Sequence, residues 1–217
     1  MRIGVLGTGT VGRTLATKLA SLGNEVRMGS RQAGNESAVE WAREAGAGAS
    51  EGTFADAAGF GELVINATAG AAAVDALGMA GADNVAGKVL IDVSNPLDFS
   101  RGMPPTLTVC NDDSVAERIQ REFPDARVVK SLNTVNADVM VTPEVVPGDH
   151  TMFVAGNDDD AKRQVTELLE SFGWPPARIV DLGGIRAARG TEMYLPLWLN
   201  LFGAVGAPNF NLAVVRA

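Results

Sequence analysis

Residues 7–12 read Gly-Thr-Gly-Thr-Val-Gly, a G-x-G-x-x-G run, and its neighbours constrain what the chain can fold into. Ahead of it, Ile3-Gly4-Val5-Leu6 is an apolar run that reads as a short buried strand. Behind it, Val11, Leu15, Leu19 and Leu22 recur at helical spacing, so a helix opens on the glycines. Gly23-Asn24 stops that helix, and Glu25-Val26-Arg27-Met28 reads as a second strand. Strand, glycine turn, helix, strand is the setting in which this run holds a dinucleotide. Gly7 allows the tight turn, Gly9 lets a pyrophosphate approach the backbone, and Gly12 lets the helix sit close on the strand. Thr8, Thr10 and Val11 occupy the variable positions. The first helical turn then offers unpaired N–H groups and the positive end of the helix dipole to phosphate.

The end of the second strand selects the dinucleotide. NAD sites place Asp or Glu about 20 residues on, against the ribose 2′-hydroxyl. This chain has Gly29-Ser30-Arg31 there. No carboxylate stands ready to repel a 2′-phosphate, Ser30 can donate a hydroxyl, and Arg31 can form a bidentate, charge-assisted pair. The expectation is NADP(H), against the alternative that Arg31 is a solvated arginine in a turn.

Composition narrows the remaining classes. At 217 residues the chain suits one enlarged α/β domain with a small extension, divided here into a nucleotide-binding part, 1–140, and a C-terminal part packed on it, 141–217. A net charge of −8 argues against nucleic acid or an anionic membrane as partner. The single cysteine, Cys110, excludes an internal disulfide and suits the cytoplasm. One His and one Cys argue against a His/Cys metal site. A first strand starting at the N-terminus leaves no room for a leader peptide, and none is expected.

Further strands and helices alternate along the chain. Helices are expected over 37–45, with Trp41 on the inner face, and over 54–59, 71–79 and 114–123, the last opened by a Ser114–Glu117 capping box. Another follows the acidic run 157–160, which reads as capping chemistry. Strands are expected within 46–53 and at 63–65, 88–93, 127–131, 151–155 and 178–181. The pattern predicts a Rossmann-type, doubly wound, mostly parallel sheet with a small C-terminal α/β extension. In such a sheet the ligand lies across the carboxyl ends of the strands. That gathers Gly7–Gly12, Ala67 and Thr68, then Ser94-Asn95-Pro96, then Asn133 around one crevice. Turn or capping chemistry is the alternative for Thr68 and Ser94.

Two segments stand apart. Residues 97–113 read as a long loop, a length usually tied to function or disorder. Met193 to Val205 is apolar nearly all round, with Tyr194, Trp198 and Phe202 four residues apart. It is too short and too interrupted by Pro196 and Asn200 to span a membrane. A buried core helix is one reading; a dimer face combined with a pocket wall for a flat ring is preferred.

Taken together, these residues resemble the F420-dependent NADP oxidoreductase family and the related reductase domains of membrane ferric reductases. The resemblance rests on Gly7-Thr8-Gly9-x-x-Gly12, Gly29-Ser30-Arg31, Ser94-x-Pro96-Leu97, Ser100-Arg101-Gly102, Asn133-Thr134 and the apolar C-terminal helix, and it spans nearly the whole chain. It implies hydride transfer between C4 of the nicotinamide and C5 of a deazaflavin (F420) or a flavin, with the rings stacked at the crevice, usually in a homodimer. Ala67-Thr68-Ala69-Gly70 is smaller than the family's segment after strand four, and Asn133 stands where members can carry His, so a flavin is kept beside F420 as acceptor. Hydride transfer needs orientation more than a protein acid or base, so no catalytic side chain is assigned. A dehydrogenase or reductase of a small carbonyl or imine would want a Lys, His or Tyr donor. His150 reads as structural or solvated, which leaves Tyr194 for that alternative. A non-catalytic NADP-sensing module would lack a second pocket.

Overall fold

The computed structural model describes residues 1–215; positions 216 and 217, at the end of the expected extension, lie outside the described residues. The chain opens with β1 (Arg2–Leu6), α1 (Thr10–Ser21), β2 (Glu25–Ser30), α2 (Glu36–Ala45), β3 (Ala49–Thr53), α3 (Phe54–Phe60) and β4 (Leu63–Asn66). It continues through α4 (Ala73–Ala80), α5 (Ala82–Val85), β5 (Val89–Asp92), β6 (Leu97–Asp98), β7 (Thr106–Leu107), α6 (Val115–Glu122) and β8 (Arg127–Ser131). The remainder is α7 (Ala137–Val141), β9 (Met152–Gly156), α8 (Asp159–Ser171), β10 (Ile179–Asp181), α9 (Ala188–Met193) and α10 (Leu195–Val205).

Eight strands form one sheet in the order β10-β9-β8-β5-β4-β1-β2-β3. From β3 to β8 every neighbour is parallel. Read in that direction the order is that of the doubly wound dinucleotide-binding sheet, with the chain reversing direction between β1 and β4. β9 pairs antiparallel to β8, and β10 parallel to β9, so the C-terminal part continues the same sheet.

The central strands are apolar on both faces because helices cover both. Ile3, Val5, Leu63, Ile65, Val89 and Ile91 point into one core with α1, α2, α7 and α8, where Trp41 is 2% exposed. Leu6, Val64, Leu90 and Val128 point into the other, against α3, α4 and α6. A full wrap of side chains on each face is what the unbroken Leu63-Val64-Ile65 run predicts.

Two expectations change, and one alternative reading falls. Residues 97–113 contain a two-stranded antiparallel hairpin, β6 with β7, in place of an unstructured loop. Strands of two residues are too short to show a period of two, so pattern reading passes over them. α5 and α7 were not anticipated for the same reason. The apolar tail is not a core helix: in α10 only Leu195 is buried, while Leu197, Phe202 and Val205 are 51%, 39% and 56% exposed. Trp198 stacks on Phe210 at 5.3 Å and on Phe202 at 5.6 Å, so the helix packs largely on its own tail.

Candidate functional site

The glycine turn after β1 has the geometry its residues require. Gly7 adopts φ +123°, where a side chain is strained, and donates to the Gly29 carbonyl at 3.0 Å. A Cβ on Gly7 would lie 2.6 Å from the Ala67 carbonyl oxygen. A Cβ on Gly12 would lie 2.1 Å from the Gly7 carbonyl oxygen, so α1 can seat on the turn only with glycine there. Gly9 differs: a Cβ there meets nothing within 4 Å. Its N-cap position has no side-chain cap, and the first turn of α1 carries no acidic residue. The amides of Thr10, Val11 and Gly12 belong to that first turn, whose N–H groups have no intrahelical partner. The Val11 side chain itself turns into the core.

A cavity of about 510 Å³ opens beside this turn. Gly7, Thr8 and Gly9 line one side, Ser30, Arg31, Gln32 and Asn35 a second, and Phe54 and Ala67–Ala69 the rest. Arg31 is the one charged side chain in that lining and makes no ion pair among the described residues. Ser30 is 6% exposed, and its hydroxyl donates to the Gln32 carbonyl while accepting from the Gln32 N–H. The serine therefore shapes the turn that carries Arg31, a role its sequence position alone does not disclose. Asn35 caps α2 through Ala38 N–H at 3.2 Å, which brings a second helix N-terminus to the same mouth.

Structure divides the expected residues into three groups, of which Thr10, Val11 and Gly12, in the first turn of α1, border the cavity without lining it. Gly7, Thr8, Gly9, Ser30, Arg31, Ala67 and Thr68 share this cavity. Ser94, Asn95, Pro96 and Asn133 lie at the neighbouring strand ends and do not line it. Asn95 and Asn133 satisfy each other instead: Asn95 Nδ2 donates to the Asn133 carbonyl and Asn133 Nδ2 to Asn95 Oδ1, each at 2.9 Å. Leu132 holds φ +66°, a left-handed conformation uncommon for leucine, immediately before Asn133. Pro96 accepts from Thr108 N–H at 2.8 Å and so anchors the β6–β7 hairpin. Buried without partners among the described residues are the hydroxyls of Ser94 and Thr134.

Sequence reading passed over the most buried polar cluster. Lys130, at the end of β8, contacts Asp92 Oδ2 at 2.8 Å, Glu192 Oε1 at 2.8 Å and the Ser94 carbonyl. All three side chains are at most 1% exposed. Asp92 Oδ1 also accepts from Asn66 at 2.8 Å and from Ser94 N–H at 3.2 Å, and Asn66 Oδ1 accepts from the Thr68 hydroxyl at 2.7 Å. Glu192 accepts from the N–H groups of Val115 and Ala116, at the start of α6. Burial pushes the Glu192 carboxyl above its ordinary range, and the Asp92 charge adds to this against Lys130. Burial works against the Lys130 ammonium, but Asp92 and Glu192 outweigh it and hold the lysine charged beyond its ordinary range. The available signal was a lysine and an aspartate inside apolar strand runs, which cannot stay buried without partners.

His150 is 9% exposed and sits between the Pro143 carbonyl, 3.0 Å from Nε2, and the Asn211 amide, 3.0 Å from Nδ1. Its ring meets Trp174 edge-on at 5.0 Å. That is a structural histidine, as the sequence suggested. Burial raises the Tyr194 phenol above its ordinary value, and its hydroxyl has no partner among the described residues. No group of three or more His, Cys, Asp or Glu placed to hold a metal occurs among the described residues. No helix among them is long and apolar enough to cross a membrane.

A family model described as NADP oxidoreductase, coenzyme F420-dependent, matches residues 2–96. The F420-dependent NADP reductase of Methanothermobacter marburgensis is 33% identical over 210 residues, covering 93% of this chain and 92% of that protein. The rat metalloreductase STEAP3 is 31% identical over 229 residues, and the chain spans only 43% of its length. A crystal structure described as an F420-dependent NADP-reductase from Arthrobacter sp. FB24 superposes with a TM-score of 0.94 at 52% identity, covering 100% of both chains. A reductive aminase from Aspergillus terreus, solved with NADPH, has a TM-score of 0.67 at 18% identity over 94% of this chain and 62% of that one, which is a likeness of fold alone. With identity at this level over nearly its whole length, the chain belongs to the F420-dependent NADP oxidoreductase family.

Proposed function

We propose that this protein transfers hydride between NADP(H) and the deazaflavin F420, with a flavin as the second candidate acceptor. The observation that carries the cofactor half is the cavity at the β1 turn, open at Gly9 and provided with one unpaired cation, Arg31. NADPH, when bound, supplies the hydride. The chain's own residues bind and orient. The first-turn amides of Thr10, Val11 and Gly12 would hold the pyrophosphate, which the absence of a Cβ at Gly9 would let approach. Arg31 takes the 2′-phosphate in a charge-assisted pair, on a turn shaped by Ser30. Ala67 and Thr68 leave room beside the turn for the rest of the dinucleotide. No side chain is assigned a proton-transfer role, because positioning two rings face to face supplies most of what hydride transfer needs.

The acceptor half of the proposal rests on the family, whose member from Methanothermobacter is named for F420. In this reading Asn95, Asn133 and the tail with Tyr194 and Trp198 form the acceptor side. The test is a panel: NADPH with F420, FMN, FAD, or a small imine, followed at the nicotinamide absorbance. Oxidation with the imine and with none of the ring acceptors would replace this reading by an imine reductase.

The exposed face of α10, with Leu197, Phe202 and Val205, is read as the contact between two copies, since apolar area of this kind marks an interface. Sedimentation velocity at micromolar concentration should give a dimer that Phe202→Asp dissociates; a wild-type monomer contradicts it. A cytoplasmic setting completes the proposal, in keeping with one cysteine and no possible internal disulfide.

A further inference from the structure

α9 is joined to the body of the protein by polar contacts more than by apolar ones. Only Ala188, Thr191 and Glu192 of its six residues are buried. Glu192 spends both carboxylate oxygens on the seam: Oε2 accepts from Val115 N–H at 2.8 Å, and Oε1 accepts from Ala116 N–H at 3.2 Å and from Lys130 at 2.8 Å. Arg189 adds a fork to Glu117, at 2.8 and 2.6 Å, on the same seam. Three residues after Glu192 the chain enters α10, which buries one side chain of its own. The position of α10 is therefore set upstream, at Glu192 and the buried Leu195, and downstream, where Asn209 accepts from Asn136 at 2.7 Å and where Asn211 donates to the Thr151 carbonyl at 2.9 Å and Thr151 N–H to the Leu212 carbonyl at 2.8 Å.

Lys130 links that anchor to the nucleotide side. An ammonium has three N–H donors, and here each has a separate acceptor: Asp92, the Ser94 carbonyl and Glu192. Through Asp92 the chain of hydrogen bonds runs to Asn66 and Thr68, on the loop that lines the cavity. Ser94 is gripped at both ends, its N–H by Asp92 and its carbonyl by Lys130. One fully buried side chain thus touches Ser94 directly and reaches Thr68, in the cavity lining, through Asp92 and Asn66.

We propose that Lys130 and Glu192 are positioning residues that set the spacing between the nucleotide loops after β4 and β5 and the α9–α10 segment, and so determine how the acceptor ring is seated. Neither touches a reacting atom. The ammonium fixes the ends of β5 and β8, and the glutamate brings the start of α10 to the same point. The inference rests on the reading of α10 as the acceptor-side wall, and it assigns to a buried ion cluster what would otherwise be attributed to the aromatic residues alone.

Glu192→Gln is the informative variant. It keeps the shape, leaves a carbonyl oxygen for the α6 amides, and leaves Lys130 balanced by Asp92, so the fold is retained. With NADPH and F420, KM for F420 should rise roughly tenfold while the dissociation constant of NADPH stays within about twofold. Equal rises in both, or no change in either, overturn the proposal. Hydrogen exchange on the same two proteins gives a readout that needs no acceptor. Amides of α10 should exchange faster in the variant, with β1, β4 and α1 unchanged; unaltered α10 exchange overturns it. If the wild-type protein reduces no F420, the proposed reaction fails, and exchange alone decides the role of the cluster.

Discussion

Gly12 and Gly7 pack so closely that a methyl group on Gly12 would fall 2.1 Å from the Gly7 carbonyl oxygen, whereas the Cα of Gly9, between them in sequence, faces open space. The three glycines of the turn therefore divide into two that build the fold and one that leaves room for a ligand. Gly12→Ala should cost about 1–3 kcal/mol of stability by overpacking. Gly9→Ala should leave stability within about 0.5 kcal/mol, since its backbone is extended, yet raise the NADPH dissociation constant by roughly tenfold. Denaturant unfolding and cofactor titration of both variants check this. A Gly9→Ala protein that binds NADPH as wild type does would remove Gly9 from the phosphate site.

In the proposed reading, Arg31 selects between the two nicotinamide dinucleotides. A charge-assisted bond contributes roughly 1.5–3 kcal/mol, which is about one to two decades of affinity. Arg31→Ala should weaken NADPH by that factor and leave NADH nearly unchanged, measured by titration against each. Equal losses for both would mean that the arginine does not meet the 2′-phosphate.

The frame of the fold was legible because its central strands are apolar on both faces and its long helices keep a 3.6-residue period, as at Val165, Leu168 and Leu169. The hairpin β6–β7 and the short helices α5 and α7 carry too few residues to show any period. That Gly7–Gly9 and Ser30-Arg31 share one cavity was legible for a different reason: each run is local in sequence, so chemistry and spacing appear together. Lys130, Asp92 and Glu192 meet only through the folding of β8 against β5 and the return of α9. Asn95 and Asn133 were expected to border the crevice, and their pairing with each other joins two strand ends far apart in sequence. A Cβ on Gly70 would stand 2.2 Å from the Asn95 carbonyl oxygen, so a bulky side chain there would displace Asn95 and Pro96 along with any ring.

The buried carboxylate at Glu192 predicts a pH effect of definite sign. Its folded-state value is raised, chiefly by burial, with Lys130 and the Val115 N–H opposing. A raised group contributes stability that is fully present below its unfolded value, about 4.3 for glutamate, and is lost as pH rises through the folded value. Lys130 is also raised, but its window lies above the ordinary lysine range and does not overlap. Wild type should therefore lose stability relative to Glu192→Gln as pH is taken from about 4.3 toward neutrality, in parallel denaturant melts. A gap that widens in favour of wild type over that range would show that the ionised carboxylate is the preferred form.

The direct test of the central claim is the fate of the transferred hydrogen. NADPH carrying deuterium at both C4 positions is mixed with F420 and the protein in ordinary water, and the reduced deazaflavin is examined by mass spectrometry and proton NMR. The account predicts one deuterium per molecule of reduced F420, at C5, with no protium delivered there from solvent. Oxidised F420 already holds one protium at C5, so reduced F420 with two protium atoms and no deuterium there, or no reduction at all under conditions where NADPH binds, would contradict direct transfer between the two rings.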